Sequence, residues 1–224
     1  MTEASHDPIP AGDSGTGVAV PTTVVFDLGQ VLVGWDQSGP LADRMSRAEW
    51  DAFAAEADFA ALNVSADNGA TIAEVVERAS ATDPRHGEIV ATYYERFDRS
   101  LTGPIPGMAE IVADLGAEGV RLLGLSNWSA ETVHFAPVAA PAISELEDIV
   151  VSGREKLIKP DPAIFRLLLD RFDLDPARTV FVDDLAANVE AARALGLIGI
   201  VFTGAQDLRA DLERLGLLGA RSGE

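Results

Sequence analysis

Four short segments hold the residue types of this chain that could do chemistry, and each follows an apolar run or precedes a helix start. They are Val24-Val25-Phe26-Asp27, Leu123-Gly124-Leu125-Ser126-Asn127, Lys159-Pro160-Asp161 and Val180-Phe181-Val182-Asp183-Asp184. In parallel α/β sheets, ligands bind at the carboxyl ends of the strands. The segments therefore predict one active site in which carboxylates, a hydroxyl and an ammonium group converge.

Apolar runs alternate with helical patterns along most of the chain, and this alternation predicts the elements that position those groups. Five strands are expected, at residues 22–26, 120–125, 148–151, 179–182 and 198–202. Helices are expected at 108–115, 185–195 and 207–215, and after the N-cap Asp161 with Pro162 at the first helical position. Strands separated by helices indicate an α/β fold with a doubly wound, parallel, five-stranded Rossmann-like sheet.

The stretch from 35 to 101 differs from the rest because it is rich in Ala, Glu, Asp and Arg. It predicts an all-helical insert, with helical spacing at Trp50, Phe53, Ala54 and Ala57 and again at Ile72, Val75, Val76 and Ala79. A turn cluster at 103–107 is expected to close the insert. The predicted organisation is a core of 21–34 and 102–224, the insert of 35–101, and a disordered tail of 1–20.

Composition excludes several classes of function. The net charge of -19, from 36 acidic and 17 basic residues, argues against binding to nucleic-acid phosphates or an anionic membrane surface. The absence of cysteine excludes disulfides, thiolate catalysis and zinc-thiolate sites. The three histidines show no spacing typical of a zinc site, so any metal must be held by oxygen.

The same sequence predicts a cytoplasmic protein. Residues 1–20 lack the basic start and the apolar centre of a secretory signal. The longest apolar stretch elsewhere, 194–202, is too short to span a bilayer. We expect no membrane partner and no nucleic-acid partner, and a monomer or a homodimer.

Together the four segments resemble the motifs of the haloacid dehalogenase-like hydrolases, in their order and with plausible spacing. The resemblance covers about 22–217 and is to the phosphatases of that family that carry a helical C1-type cap after the first strand. It implies that the insert of 35–101 is such a cap. It also implies hydrolysis of a small phosphorylated metabolite, with sugar phosphates among the candidates, through an aspartyl-phosphate intermediate.

The resemblance assigns roles to four of the polar residues. Asp27 corresponds to the nucleophile, and Ser126 and Asn127 bind the phosphate through the hydroxyl and nearby backbone amides. Lys159 contacts both phosphate and nucleophile, a role that suits a compact ammonium in a chain where 15 of the 17 basic residues are arginine. The structural alternatives are a strand-end turn, a helix N-cap and a solvated loop lysine.

The carboxylates of the first and last segments predict a magnesium site. Asp27, Asp183 and Asp184 gathered at one sheet edge would repel one another unless a cation joins them, and oxygen ligands beside phosphate suit Mg²⁺. The resemblance favours Asp184 as a direct ligand over Asp183 and adds the backbone carbonyl of Gly29. Asn188 is expected to support the metal shell through a hydrogen bond. The alternative is capping of the next helix by acidic residues.

Gly29 is the departure from the family pattern that matters most. Many of these phosphatases place an aspartate there, as the acid for the leaving alcohol, and glycine cannot transfer a proton. We therefore expect activity to depend steeply on the pKa of the leaving group. Asp36 is a conceivable substitute acid, and Trp35, Asp36 and Trp128 are candidate substrate contacts.

Two other functions fit parts of the pattern. A 2-haloacid-type hydrolytic dehalogenase uses a similar aspartate but needs no magnesium, and it gives no reason for the pair Asp183 and Asp184. A binding protein that keeps the fold without turnover would account for Gly29. The retention of Asp27 and Lys159 beside the acidic pair argues against it.

Overall fold

The computed structural model describes residues 20–219, so nearly all of the predicted tail lies outside the described residues. Seven strands occur in this range: β1 (Thr23–Phe26), β2 (Val33–Trp35), β3 (Leu101–Pro104), β4 (Arg121–Ser126), β5 (Asp148–Val151), β6 (Thr179–Asp183) and β7 (Ile198–Val201). Five of them form a parallel sheet in the order β5-β4-β1-β6-β7. The predicted α/β fold is confirmed, and each predicted strand agrees with the structure to within one residue.

Ten α-helices connect and cover the strands of the described range. They are α1 (Arg47–Glu56), α2 (Phe59–Asp67), α3 (Ile72–Thr82), α4 (Pro84–Glu95), α5 (Met108–Ala117), α6 (Ala136–Ala139), α7 (Ser152–Glu155), α8 (Pro162–Phe172), α9 (Ala186–Arg193) and α10 (Ala205–Arg214). As predicted, α8 begins after Asp161, whose carboxylate accepts a hydrogen bond from the Ala163 N–H. None of the helices between residues 20 and 219 has the length and apolarity needed to cross a membrane.

Burial of β1 on both faces places its end at the centre of the molecule. Val24 and Phe26 belong to one apolar cluster, whereas Val25 belongs to a second cluster on the opposite face, which is what a sheet covered by helices on both sides requires. Because β4 and β6 flank β1 in register, Phe26 lies beside Gly124 and Val182. The residues that follow these positions therefore meet at one edge of the sheet.

The predicted turn cluster at 103–107 is wrong in its first half. Gly103 and Pro104 end β3, which pairs antiparallel with β2, so the chain enters and leaves the insert side by side. Pro104 is tolerated because it is the last residue of a two-stranded pair, where a missing N–H breaks no inner ladder. The insert lies between these two strands and contains α1 to α4.

The helices of the insert pack around one aromatic side chain, Trp50 of α1. Trp50 is 1% exposed and packs against the rings of Phe53, Phe59 and Tyr93. We expect Trp50→Ala to lower the free energy of unfolding by about 3–5 kcal/mol, because the cavity left among these rings cannot close fully. Denaturant unfolding measures this loss. Val64→Ala, at a position 52% exposed on α2, is the control and should stay within about 0.5 kcal/mol.

Candidate active site

A buried ammonium group lies between two carboxylates at the carboxyl edge of the sheet. Lys159 Nζ is 3.1 Å from Asp27 Oδ1 and 2.7 Å from Asp183 Oδ2, and it donates a third contact to the Leu125 carbonyl at 2.8 Å. Lys159 is 3% exposed. The structure thus brings residues from β1, β6 and the loop before α8 to one point, as the four segments predict.

The loop that carries Lys159 is fixed by the side chain of Asn127. The Asn127 amide donates to the Lys159 carbonyl at 2.9 Å and accepts from the Lys159 N–H at 2.8 Å. Both polar atoms of this side chain are therefore engaged with the lysine loop. A phosphate contact by Asn127 would use its backbone N–H.

The two oxygens of Asp27 have different surroundings. Oδ1 accepts hydrogen bonds from the Leu28 N–H at 2.7 Å and the Ser126 hydroxyl at 2.8 Å, in addition to Lys159. No residue of the described range 20–219 donates a hydrogen bond to Oδ2. One oxygen therefore fixes the side chain, while the other keeps its lone pairs for a cation or a phosphorus atom.

The acidic pair after β6 divides into a buried member and a half-buried one. Asp183 is fully buried, and its oxygens accept from the Leu185 N–H at 2.9 Å, from Lys159, and from Asn188 at 2.9 and 3.0 Å. Asn188 thus supports Asp183, which in turn holds the lysine. Asp184 is half-buried, and one oxygen from each of Asp27, Asp183 and Asp184 lies within 4.8 Å of the others.

Charge is unevenly compensated in this cluster. Burial raises the pKa of Asp27 to about 7, against the opposing effect of Lys159 and with a further contribution from the charge of Asp183. Burial and the Asp183 charge also raise the pKa of Asp184. Burial alone would lower the pKa of Lys159, but the two carboxylates outweigh it and raise that pKa. Three carboxylates share one ammonium, and their hard oxygens fit a divalent cation such as Mg²⁺.

Comparison with known protein families shows to which family the chain belongs. The family model described as haloacid dehalogenase-like hydrolase matches residues 21–196, which include all four segments. The chain belongs to this family. The resemblance inferred from the motifs is confirmed, and the protein is a haloacid dehalogenase-like hydrolase.

Individual relatives cover parts of the hydrolase. A sesquiterpene phosphatase of Aspergillus oryzae is 31% identical over 52% of this chain and 58% of its own, and a phosphoglycolate phosphatase of Cupriavidus necator is 30% identical over 56% and 53%. The magnesium complex of a family enzyme from Bacteroides thetaiotaomicron superposes with a TM-score of 0.66, at 20% identity, over 83% of this chain and 95% of that one. The matches cover between 10% and 58% of the curated relatives' lengths.

A cavity of about 460 Å³, a volume that includes space open to solvent, lies where the insert meets the core of the hydrolase. Its lining comprises Gly29, Trp35, Asn63, Asp67, Tyr94, Phe97, Asn127, Trp128, Ser129 and Thr132. Two of the three predicted substrate contacts, Trp35 and Trp128, belong to this lining. Asp36 does not: its carboxylate accepts from Ser38 and lies 3.5 Å from the exposed Arg47.

Sequence reasoning missed the part of the lining that the insert contributes. Asn63 and Asp67 come from α2, and Tyr94 comes from α4. In the sequence, Asp67 precedes Asn68-Gly69, a pattern typical of a helix stop rather than of a site. Nothing in the local sequence indicates that this helix end docks on the core. We call Lys159 and the three carboxylates of Asp27, Asp183 and Asp184 the charged centre. The four motifs could therefore predict this charged centre but not the surface that faces it.

Proposed function

We propose that this hydrolase is a magnesium-dependent phosphomonoesterase that acts on a small phosphorylated metabolite through an aspartyl-phosphate intermediate. The observation that carries the proposal is the asymmetric holding of Asp27, with one oxygen fixed by three donors and the other free of donors. A carboxylate is a modest nucleophile, so attack on phosphorus depends on positioning and charge compensation. The phosphatase names of several relatives support the same activity.

In this proposal each residue of the charged centre has a separate role in the reaction. Asp27 attacks phosphorus, and the bond to the leaving oxygen breaks. Lys159 compensates the charge of the phosphoryl group, aided by the Ser126 hydroxyl and the backbone N–H of Asn127. Asp27, Asp184 and the Gly29 carbonyl would hold Mg²⁺, which supplies further charge compensation. Asp183 positions Lys159 because both of its oxygens are already engaged.

The cavity walls suggest the kind of alcohol that leaves. Four aromatic side chains line the cavity: Trp35, Tyr94, Phe97 and Trp128. Aromatic faces favour a partner with a flat or apolar surface, such as the ring of a sugar phosphate or a terpenoid alcohol. A screen of phosphorylated metabolites from both groups, with matched phosphate concentration, identifies the preferred class by kcat/KM.

Removal of the metal or of Asp184 tests the proposed function. We expect hydrolysis of an aryl phosphate to require Mg²⁺ and to stop with a chelator. Asp184→Asn should raise the Mg²⁺ concentration for half-maximal rate by at least about tenfold, because one charged ligand is lost. Asp170→Asn, an exposed acid of α8, is the control. A rate of hydrolysis that does not depend on magnesium would contradict the proposal, as would release of halide from a 2-haloacid instead of release of phosphate.

A further inference from the structure

A carboxyl group of the insert faces the place where the family acid is missing. Asp67 is the last residue of α2 and lines the same cavity as Gly29 and Asn127 of the core. Gly29 lies two residues after Asp27, and a side chain there would have space, since no atom lies within 4 Å of a Cβ built on it. The space beside the proposed nucleophile is thus open on the core side and met by Asp67 from the insert side.

The core holds Asp67 in this position. The Ser152 hydroxyl donates to the Asp67 carbonyl at 2.5 Å. The backbone N–H of Ser129 favours the charged form of the Asp67 carboxyl and so opposes the rise in its pKa. Ser129 and Ser152 are both buried residues of the core. Within α2, Asn63 donates to Asp67 Oδ2 at 3.0 Å. No lysine or arginine among residues 20–219 forms a salt bridge with Asp67, so no fixed cation holds this carboxyl in its charged form.

We propose that Asp67 donates the proton to the leaving alcohol and takes it back from the attacking water, in place of the residue missing at Gly29. This inference rests on the proposed phosphatase activity. A positioned group beside the scissile bond is what acid catalysis requires, since proton transfer needs contact with the leaving oxygen in the closed complex. Asp36, the acid nearest in sequence, is excluded from this role by its place outside the cavity.

The two half-reactions balance with one carboxyl group. In the first, an Asp27 oxygen bonds to phosphorus, the bond to the leaving oxygen breaks, and that oxygen takes the proton of Asp67. In the second, the Asp67 carboxylate takes a proton from water as the water oxygen bonds to phosphorus, and the bond between phosphorus and the Asp27 oxygen breaks. Inorganic phosphate leaves, and both Asp27 and Asp67 return to their starting states.

The surroundings of Asp67 agree with this role. Burial raises the pKa of Asp67 to about 7, and the charge of Asp27 raises it further against the opposing Ser129 N–H. The charge of Asp67 in turn acts on two other titratable groups, Tyr93 and Tyr94 of α4. Both tyrosines have pKa values raised by burial, so they stay neutral where Asp67 titrates. Near neutral pH the carboxyl is therefore populated in both forms, as an acid that becomes a base requires.

Comparison of two leaving groups in Asp67→Asn tests the inference. An aryl phosphate loses its phenolate with little help, whereas an alkyl phosphate needs a proton. We expect Asp67→Asn to lower kcat/KM for the alkyl phosphate at least about 100-fold and to change that for the aryl phosphate less than about threefold. In the unmodified hydrolase, alkyl turnover should fall as pH rises through about 7, because Asp67 loses its proton. This alkaline limb should be absent from the variant.

Control variants separate proton transfer from positioning. Asp67→Glu keeps a carboxyl and should recover part of the alkyl activity, while Asp58→Asn changes an exposed acid at the other end of α2 and should affect neither substrate. Two results would overturn the role of Asp67 and leave the proposed function standing. One is an equal loss on both substrates in Asp67→Asn, and the other is an unmodified hydrolase that cleaves aryl but not alkyl phosphates. A hydrolase that cleaves no phosphate with Mg²⁺ overturns the proposed function as well.

Discussion

Asp27→Asn is expected to lower kcat/KM for an aryl phosphate by at least about 10⁴-fold, the largest loss in activity among the variants considered. The amide has the size of the carboxylate and can still accept hydrogen bonds from Leu28 and Ser126 through its oxygen. It has no anionic oxygen with which to attack phosphorus, however. Steady-state kinetics with Mg²⁺ at saturating concentration measures the loss.

The covalent intermediate gives this prediction a second readout. Intact-mass measurement of acid-quenched protein should detect one phosphoryl group on the unmodified hydrolase during turnover and none on Asp27→Asn. Thermal unfolding serves as the control for folding of the variant. Turnover by Asp27→Asn at the rate of the unmodified hydrolase would contradict the assignment of Asp27 as the nucleophile. A phosphoryl group on another residue would contradict it as well.

The carboxylates of the charged centre follow from local sequence because Asp27, Asp183 and Asp184 lie at or directly after the ends of two strands. The run before Asp27 is β-branched and aromatic, so it must be buried on both faces, and only a central parallel strand satisfies that requirement. The same reasoning predicts the strand before Asp183. Once two such strands are neighbours, their ends coincide, so the sheet order alone brings Asp27 and Asp183 together. Lys159 joins them from the loop before α8, which the side chain of Asn127 holds in place.

The hydrogen bonds inside that centre could not be predicted in the same way. The sequence predicts a supporting hydrogen bond from Asn188 to the metal site without naming its acceptor, and in the structure its amide donates to Asp183, the carboxylate that holds the lysine. The resemblance gives the backbone N–H of Asn127 a phosphate contact but no partner for its side chain, which is engaged with the Lys159 backbone. Amides can pair with any of several neighbours at one strand edge, so their partners depend on rotamers that the sequence does not determine.

The face opposite the charged centre depends on long-range docking. Asp36 is close to Asp27 in sequence, but the pairing of β2 with β3 turns it towards Ser38 and Arg47. Asp67 is far from Asp27 in sequence and reaches the cavity because α2 ends against Ser152. Nearness to Asp27 in the sequence therefore does not predict which acid of the insert reaches the cavity. The packing of the helices around Trp50 determines it.

Lys159→Met is expected to lower both the stability and the activity of the hydrolase. The ammonium is buried between two carboxylates, so its removal leaves Asp27 and Asp183 facing each other without compensation. Breaking a buried ion pair in this way costs about 3–5 kcal/mol, and we expect the free energy of unfolding to fall by that amount. Denaturant unfolding with unchanged m-value measures the loss. Lys156→Met is the matched control, since Lys156 is the only other lysine and is exposed.

A second change within the same pair separates electrostatic strain from lost packing. Lys159→Met combined with Asp183→Asn removes one of the two repelling charges, and we expect it to recover part of the stability lost by Lys159→Met alone. Phosphatase activity should stay lost in both variants, because the charge that faces the phosphoryl group is absent. If the double variant is less stable than Lys159→Met by the full cost of Asp183→Asn, the two residues act independently and the lysine stabilises the fold through packing alone.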